Sequence, residues 1–189
     1  MEIKYIPEGT MTEKQQKDVD IINGTCLAGD PGEPEEEFDI NAYEWSAPAD
    51  GMFVLLDEER VIGAVGVHKV LTEYNGQEYY LGGFGGLAVL PEYQGKGYAR
   101  KLAEAALEKS REIGIDVACM CVDMKSGITD FYQNLGFKFL NRSAYFLNHG
   151  NNEVTDDTAM IMGLKNKKLA DEILQTNHKF HYGKNKGHW

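Results

Sequence analysis

The pattern of apolar and polar positions divides the start of the chain into a strand, a helix and a loop. The apolar run IKYI predicts the strand. Thr10 and Glu13 have the spacing of a capping box, in which a hydroxyl and a carboxylate satisfy free helix amides, so they predict a helix running toward Asn23. The Gly-, Pro- and Glu-rich piece 29–34 predicts a loop, followed by a short helix that ends at Trp45.

The middle of the chain predicts a meander of three antiparallel strands. Two apolar runs, Met52–Asp57 and Val61–Thr72, are joined by an acidic turn. The dipeptide Asn75-Gly76 is a hairpin signal and leads into a third run, Tyr79–Leu90.

Helical and strand-like patterns alternate through the rest of the chain. Apolar positions in Ala99–Ile113 recur with helical spacing, and Gly114 marks the end of that helix. A buried strand, a short helix ended by a glycine and two further strands are predicted at Ile115–Val122, Ile128–Leu135, Phe137–Leu140 and Thr158–Leu164. A turn-rich excursion separates the last two strands. The order indicates an α+β layout of one domain, in which a long helix sits between two central strands.

Composition and charge narrow the class of protein. The chain is 42% apolar and 26% charged, has no stretch long enough to cross a bilayer and opens without a secretory signal, so we expect a cytoplasmic protein with no membrane partner. The formal net charge of −11 argues against a nucleic-acid partner. No Lys or Arg lies between Lys17 and Arg60, where acidic residues accumulate. That stretch is either a solvated face or a site for cationic ligands.

The number and spacing of the cysteines and histidines predict no metal site. Cys26, Cys119 and Cys121 form no even disulfide set, and the last two alternate in an apolar run as same-face residues of one strand would, so core thiols are expected. His178 and His181 have a spacing compatible with metal ligation, but no convincing third and fourth ligands accompany them.

A pair of glycines stands directly before the strongly helical run ARKLAEAALEKS, within PEYQGKGYARKL. Glycine disfavours helices, but Gly95 and Gly97 would let the backbone approach a phosphate group at a helix start, where free amides and the helix dipole favour anions. The alternative is that they only turn the chain from strand to helix. The spacing fits neither a Walker loop nor the dinucleotide fingerprint, in which Arg100 would occupy the last small-residue position.

The same run matches the pattern [QR]-x-x-G-x-[GA] as QGKGYA, preceded by LAVL and PEY and followed some thirty residues later by FYQNLGF. With these two motifs in order, residues 53–140 closely resemble the GNAT superfamily of acetyl-CoA-dependent N-acetyltransferases. The resemblance implies a mixed, mostly antiparallel central sheet flanked by helices, with splayed central strands. It also implies one acetyltransferase domain over 1–164 and a C-terminal tail, 165–189, packed near the acceptor site.

The resemblance implies roles for particular residues. Amides from Gly95 to Arg100 would bind the diphosphate of coenzyme A, the strand from Leu87 to Val89 would pair with the pantetheine arm, and the strand 118–122 would splay from it. The cofactor-binding residues expected are Leu87, Ala88, Val89, Gln94, Gly95, Lys96, Gly97, Tyr98, Ala99 and Arg100.

Amine attack on a thioester needs a donor for the oxyanion and a proton for the leaving thiolate. By resemblance, the backbone amide of Val89 is the oxyanion donor and Tyr132 is the general acid. A phenol with a pKa of about 10 suits proton return to a thiolate. The general base stays open between Asp123, Tyr80 and an ordered water.

Scattered features are similar to the aminoglycoside 2'-N-acetyltransferase family, which implies a polycationic acceptor: LAGD after the first helix, the Tyr-Asn-Gly hairpin, TDD before the last strand, and GHW at the end. The acceptor-site residues expected are Asp30, Glu35, Gly85, Asp123 and Trp189, with the neighbouring acids up to Glu37 as weaker candidates. At Gly85 the chain departs from that family, which has a glutamate there thought to help deprotonate the amine. Another amine (a polyamine, an amino acid or a peptide N-terminus) and a non-catalytic coenzyme A-binding module are the alternatives. A homodimer stays open.

Overall fold

The computed structural model describes residues 1–27, 49–122, 124, 127–147 and 151–186 as an alternation of strands and helices. The strands are β1 (Glu2–Pro7), β2 (Ala49–Asp57), β3 (Arg60–Tyr74), β4 (Gln77–Val89), β5 (Val117–Cys121), β6 (Lys138–Phe139), β7 (Ala144–Leu147), β8 (Glu153–Asp156), β9 (Ala159–Gly163) and β10 (Phe180–Lys186). The helices are α1 (Glu13–Cys26), α2 (Tyr98–Glu112), α3 (Thr129–Leu135) and α4 (Lys167–Gln175). No helix in the described ranges combines the length and the apolar character that crossing a bilayer requires.

The strands of the described residues form two sheets. One has seven strands in the order β1-β2-β3-β4-β5-β9-β6, and the other has three in the order β10-β7-β8. The pairs β1/β2, β2/β3, β5/β9, β6/β9 and β7/β8 are antiparallel, whereas β4/β5 and β7/β10 are parallel. β4 and β5 pair at their N-terminal ends, where Leu81 faces Val117 and Gly82 faces Ala118. The predicted α+β class with a mostly antiparallel sheet is confirmed.

The described residues divide into two compact units. The first unit contains residues 1–27, 49–68 and 84–109, and the second contains residues 69–83 and the described residues from 110 to 186. The long strands β3 and β4 each contribute to both. Residues 165–186, expected only as a tail, add α4 and β10 to the second unit. Their location near an acceptor site stays a prediction.

The core of the first unit joins both of its helices to strands. α1 buries Val19 and Ile22, and the side chain of Asp18 accepts a hydrogen bond from the Val61 amide at 3.0 Å, which attaches α1 to the start of β3. α2 buries Leu102 completely. Each fully buried aliphatic side chain contributes about 1.5–3 kcal/mol to stability.

One large cluster of buried apolar side chains lies in the core of the second unit. It includes Cys119 of β5, Leu169 and Ile173 of α4, and Phe180 and Tyr182 of β10. The prediction of core thiols is confirmed for Cys119, which is fully buried in this cluster, whereas Cys121 is partly buried against the cluster and Cys26 is partly buried in the first unit.

The capping box of α1 lies two residues later than predicted. Thr12 is the N-cap: its hydroxyl accepts from the Gln15 amide, and the Gln15 side chain accepts from the Thr12 amide at 3.0 Å. Thr10 instead donates its hydroxyl to the Pro7 carbonyl at 2.8 Å. The sequence contains two overlapping capping patterns, T-x-x-E from Thr10 and T-x-x-Q from Thr12. Thr10 forms part of the turn after β1, so the second pattern caps the helix.

Three stretches contain more structure than their composition predicted. β7 and β8 form an antiparallel hairpin in the turn-rich excursion, and α4 and β10 lie in the tail. The hairpin strands are only four residues long, and three of the four residues of β8 (EVTD) are polar, which weakens any period-two signal. α4 has a clear N-cap, because the Asn166 side chain accepts from the Leu169 amide at 3.0 Å. The predicted loop 29–34 and the helix to Trp45 lie outside the described residues.

Candidate functional site

The glycine turn, residues 94–97, connects the end of β4 to α2 in the first unit. After Val89 a short 3-10 turn, Pro91–Tyr93, leads into it. Gly95 and Gly97 have φ values of +73° and +77°, in the left-handed region that favours glycine. A Cβ atom at either position would meet no heavy atom within 4 Å, so the backbone conformation and not close packing requires glycine. The space beside the turn is therefore open to a ligand.

The first amides of α2 follow directly from the glycine turn. The Lys101 amide donates to the Gly97 carbonyl at 3.2 Å and so begins the helical ladder. The amides of residues 98–100 precede it, and the first N–H groups of a helix have no intrahelical partner and carry a partial positive charge. A helix start of this kind, entered through an open turn, suits a phosphate group.

The charges of this segment are opposite to those of the whole chain. Residues 94–101 include Lys96, Arg100 and Lys101 and no acidic residue, although the chain has a net charge of −11. Lys96 Nζ donates to the Glu92 carbonyl at 3.2 Å, and Arg100 Nε donates to the Glu104 carboxylate at 2.9 Å. Both side chains are exposed. The segment therefore presents a cationic surface around the glycine turn.

The peptide group that joins Val89 to Leu90 is held on both sides. The Val89 carbonyl accepts a hydrogen bond from Gln94 Nε2 at 2.8 Å, and the Cys26 thiol lies against the same oxygen at 3.6 Å. On the other side, the Leu90 amide donates to the Ile62 carbonyl at 2.9 Å. Side chains from α1 and the glycine turn and the backbone of β3 thus fix one peptide at the end of β4.

The predicted cofactor strand, Leu87 to Val89, lies in the last part of β4. Ala88 and Val89 are buried and Leu87 is partly buried. Gly86 has a φ of +62°, and a left-handed glycine inside a strand interrupts the regular pleat. Gly85 precedes it and carries no ionisable group, so a carboxylate is absent at this point of β4.

Tyr132 lies in the second unit, on the short helix α3. It is 8% exposed, and its ring packs edge-on against Phe131 and Phe137 with centroid distances of 5.1 and 6.5 Å. Burial raises the pKa of the Tyr132 phenol above its usual value, which keeps the group protonated at neutral pH. A protonated phenol is a proton donor, as the predicted role requires.

Tyr80, one candidate base, lies at the start of β4 in the second unit and is 43% exposed. The Lys69 ammonium lies 4.0 Å from the centroid of its ring and donates to the Ile113 carbonyl at 2.6 Å. Tyr80 stays one of the candidate bases.

The second unit contains a cluster of hydrogen-bonded side chains, here called the Asp156 cluster: Cys121, Asp156, Thr158 and Tyr182. The Tyr182 hydroxyl donates to Asp156 Oδ2 at 2.9 Å and lies 3.2 Å from Cys121 Sγ. Asp156 Oδ1 accepts from the Thr158 amide and hydroxyl, each at 2.7 Å. Residues distant in sequence therefore converge on one carboxylate.

The protonation states of the Asp156 cluster follow from its burial and hydrogen bonds. Burial by itself raises the pKa of Asp156, but hydrogen bonds from Cys121, Thr158 and Tyr182 outweigh burial and lower the pKa below its usual value. Burial raises the pKa values of the Cys121 thiol and the Tyr182 phenol well above their usual ranges, and the nearby Asp156 charge adds to the effect. At neutral pH the cluster holds one carboxylate and neutral donors.

Several predicted acceptor-site residues lie outside the described residues: Asp30, Glu35, Asp123 and Trp189. The residues expected to bind the cofactor, from Leu87 to Arg100, come together in the first unit with Gly85, and Tyr132 lies in the second. Sequence reasoning missed the Asp156 cluster and the contact of Cys26 with Val89, because both depend on contacts between residues far apart in sequence. An apolar helix end facing a predicted strand is the one signal that could have indicated the second contact.

The two histidines considered as metal ligands have other neighbours. His181 Nε2 lies 3.5 Å from Glu153 Oε2, and the His178 ring packs edge-on against Tyr74 at 5.8 Å. Within the described ranges, no group of three or more His, Cys, Asp and Glu side chains is arranged to hold a metal ion.

Comparisons with known proteins agree on one family. The family model described as "Acetyltransferase (GNAT) family" matches residues 19–137, more than half of the chain. N-alpha-acetyltransferase 30 of Schizosaccharomyces pombe is 32% identical over 102 residues, which are 51% of this chain and 63% of that relative. The chain thus matches less than two thirds of that relative's length.

Solved structures show a similar fold. The GNAT family N-acetyltransferase YhbS from Escherichia coli, solved in complex with CoA, superposes with a TM-score of 0.59 at 19% identity, over 95% of this chain and 87% of that one. A GNAT family acetyltransferase from Brucella melitensis, solved in complex with acetyl-CoA, gives a TM-score of 0.52 at 22% identity, over 72% and 83% of the two chains.

Proposed function

Because the chain belongs to the GNAT family of acetyltransferases, we propose that it is an N-acetyltransferase that moves the acetyl group of acetyl-CoA to a primary amine of a small cationic substrate. The observation that carries this proposal is the glycine turn, which is open, cationic and continuous with the free amides of α2. The E. coli and Brucella neighbours, solved with CoA and acetyl-CoA, support the choice of donor.

The residues of the first unit fit the diphosphate of such a donor. A group with two adjacent phosphates needs several N–H donors and a backbone that can approach closely. The open Cβ positions of Gly95 and Gly97 and the absence of acidic residues in the first turn of α2 meet both needs. Main-chain amides of residues 95–100 would hold the diphosphate, with Lys96 and Arg100 nearby to attract it.

Bound acetyl-CoA supplies the reactive thioester, and two groups of this chain would act on it. The Val89 amide would orient the thioester carbonyl and donate to its oxygen as negative charge develops there. Tyr132 would hold a proton on its phenol oxygen and pass it to the sulfur that leaves. The phenol is protonated across the neutral range, as a proton donor must be, and its place in the FYQNLGF motif supports this assignment.

Carboxylate groups at an acceptor site would favour a cationic acceptor, and an aminoglycoside is our best single candidate. Asp156 is ionised at neutral pH and partly buried, and its hydrogen-bond partners in the described ranges are neutral groups. An ammonium group would be attracted to such a carboxylate. Asp30, Glu35 and Trp189 are further acceptor contacts in this proposal. Position 85 is glycine and supplies no carboxylate, so the base would be Asp123, Tyr80 or a water.

The α-amine of a peptide is the second candidate acceptor. N-alpha-acetyltransferase 30, by its name, acts on α-amino groups, and it is 32% identical to this chain over the matched residues. An α-amine has a pKa of about 8, so roughly a tenth of it is already neutral at pH 7, and it needs less help from a base than a side-chain amine with a pKa of about 10.4. That property suits a site in which position 85 is glycine.

The test is an acceptor screen read by thiol release. The protein is incubated with acetyl-CoA and a panel of an aminoglycoside, a polyamine, a free amino acid and a short peptide with a free N-terminus. An otherwise identical peptide with an acetylated N-terminus is the matched control. Coenzyme A binding is measured separately by calorimetry.

We expect release with at least one cationic acceptor and none with the blocked peptide. Release with the free peptide alone would replace the small-molecule acceptor by a peptide N-terminus. Coenzyme A binding without release across the panel would favour a non-catalytic binding module. Absence of binding would contradict the donor site itself. Sedimentation of the same samples would test the homodimer, which stays a prediction.

A further inference from the structure

Gln94 is the first residue of the glycine turn, yet its side chain is directed back toward the strand. Its Nε2 atom donates to the Val89 carbonyl at 2.8 Å, across a partly buried gap of five residues. One of the two N–H groups of the side-chain amide is thus used by the main chain, which leaves a single N–H for any phosphate oxygen. The position expected to bind the cofactor therefore contacts the backbone beside the proposed oxyanion donor.

The Cys26 thiol contacts the same carbonyl from the end of α1. The distance from Sγ to the Val89 oxygen is 3.6 Å, which is a normal length for a hydrogen bond from sulfur. Burial raises the pKa of Cys26, with a smaller contribution from Glu92, so the group is a neutral thiol and can donate. One carbonyl thus has two side-chain donors, from residues 63 positions before it and five positions after it.

The third contact fixes the plane of the peptide. The Leu90 amide belongs to the same peptide group as the Val89 carbonyl, and it donates to the Ile62 carbonyl at 2.9 Å. With its oxygen and its N–H both held, the peptide cannot rotate without breaking at least one hydrogen bond. This peptide begins at the Cα atom of Val89, so holding it limits the ψ angle of Val89 and restrains the residue whose amide is the proposed oxyanion donor.

We propose that Gln94 and Cys26 are positioning residues that fix the Val89–Leu90 peptide, and with it the oxyanion donor, while contributing little to cofactor affinity. The inference rests on the proposed function. Preorganised donors act at the position where charge develops in the transition state, so misalignment lowers turnover more than it lowers ground-state binding. The Gln94 side chain in this way links the glycine turn to the end of β4.

Three substitutions at position 94 separate positioning from direct binding. Gln94→Met keeps the length and removes the donor, Gln94→Glu keeps the shape and replaces the donor by an acceptor, and Gln94→Arg keeps an N–H donor. We expect kcat to fall about tenfold in the Met and Glu variants, the size of effect expected for one oriented hydrogen bond, while the dissociation constant of coenzyme A changes less than about threefold. The Arg variant should recover most of the turnover. Gln77→Met, at the exposed start of β4, is the matched control.

A measurement on the protein without cofactor tests the contact independently of activity. In nuclear magnetic resonance spectra, the ¹³C shift of the Val89 carbonyl should move in Gln94→Met and, by less, in Cys26→Ala, but not in Gln77→Met. Cys26→Ser, which keeps a donor, should give a smaller change than Cys26→Ala.

The outcomes distinguish this inference from the proposed function. A tenfold loss of coenzyme A affinity in Gln94→Met with unchanged kcat would overturn positioning and make Gln94 a binding residue. An unchanged Val89 shift in every variant would overturn it as well. If the wild-type protein acetylates no acceptor but the Val89 shifts change as expected, the proposed function fails while the contact stands, and its catalytic meaning is withdrawn.

Discussion

The glycine turn of the first unit and the Asp156 cluster of the second unit are built in opposite ways. The turn is exposed, spans four consecutive residues and presents backbone N–H groups. The cluster is partly buried and joins side chains from β5, β8 and β10 with Thr158, which follows β8. Its members are separated by up to 61 positions. Backbone recognition leaves a local pattern in the sequence, whereas a site assembled from side chains leaves none that can be read without the fold.

The largest effect should come from the side-chain chemistry of the second unit. Tyr132→Phe removes the phenol hydroxyl while the ring keeps its packing against Phe131 and Phe137. If the hydroxyl is the general acid, kcat should fall about 100-fold or more, with coenzyme A affinity nearly unchanged. Steady-state kinetics with the best acceptor, together with calorimetry, check this. Phe131→Leu, on the same helix, controls for packing, and an unaltered kcat in Tyr132→Phe would remove Tyr132 from the mechanism.

The next effect should come from the backbone of the first unit. Gly97→Ala places a Cβ on a residue with a φ of +77°, which costs about 1–2 kcal/mol, and any relief of that strain displaces the amides around it. We expect about tenfold weaker coenzyme A binding by calorimetry.

Gly24→Ala is the matched control for this change. A Cβ would meet nothing within 4 Å at either glycine, but Gly24 lies inside α1 without a left-handed φ, so alanine there should stabilise the fold by about 0.5–1 kcal/mol. Equal effects of the two substitutions on cofactor binding would show that backbone conformation at position 97 is unimportant.

A smaller effect should come from the Asp156 cluster. Tyr182→Phe removes a donor to a partly buried carboxylate and should lower the free energy of unfolding by about 1 kcal/mol at pH 7, the low end for a charged hydrogen bond because solvent screens part of it. The pKa of Asp156 is lowered in the folded protein, so its contribution is present above the unfolded pKa of about 3.9 and is lost as pH falls through the folded value.

Denaturant titrations at pH 7 and at successively lower pH values check this sign. The difference between wild type and Tyr182→Phe should shrink as the carboxylate becomes protonated. Tyr145→Phe, in the same three-stranded sheet, is the control. A difference that grew toward acid pH would contradict an ionised Asp156.

The smallest effect should follow from changing the thiol of the cluster. Cys121→Ser keeps a donor near the Tyr182 oxygen and should change the free energy of unfolding by no more than about 0.5 kcal/mol, whereas Cys121→Ala should cost about 1 kcal/mol. The same denaturant titrations measure both. A serine variant less stable than the alanine variant would show that packing, and not hydrogen bonding, governs this position.

The sequence predicted the parts of the fold that local forces determine. The hairpin at Asn75 and Gly76, with φ values of +49° and +79°, the stop of α2 near Gly114 and the stop of α3 at Gly136 all follow from backbone preferences of single residues. The glycine turn belongs to the same class, and so its existence and its place before α2 were predictable.

The parts that the sequence did not reveal depend on distant partners. α4 and β10 are stabilised by a core that includes Val70 and Tyr79, more than 80 residues earlier, so their own composition is a weak guide. The capping box uses Thr12 and not Thr10, because the Thr10 hydroxyl donates to the Pro7 carbonyl. The spacing of residues alone does not show which of the two threonines caps the helix. The contacts of Gln94 and Cys26 with Val89 required the strand, the turn and the helix to be placed first.

Binding of a ligand by main-chain N–H groups, as proposed for the glycine turn, has an evolutionary consequence. Mutation can replace neighbouring side chains without removing a single donor, provided that the two left-handed positions keep glycine. In the proposed function, binding of the acyl carrier is therefore retained as long as the backbone conformation of the turn is retained. Selection is then free to alter carboxylates elsewhere and recruit new amines, one contact at a time.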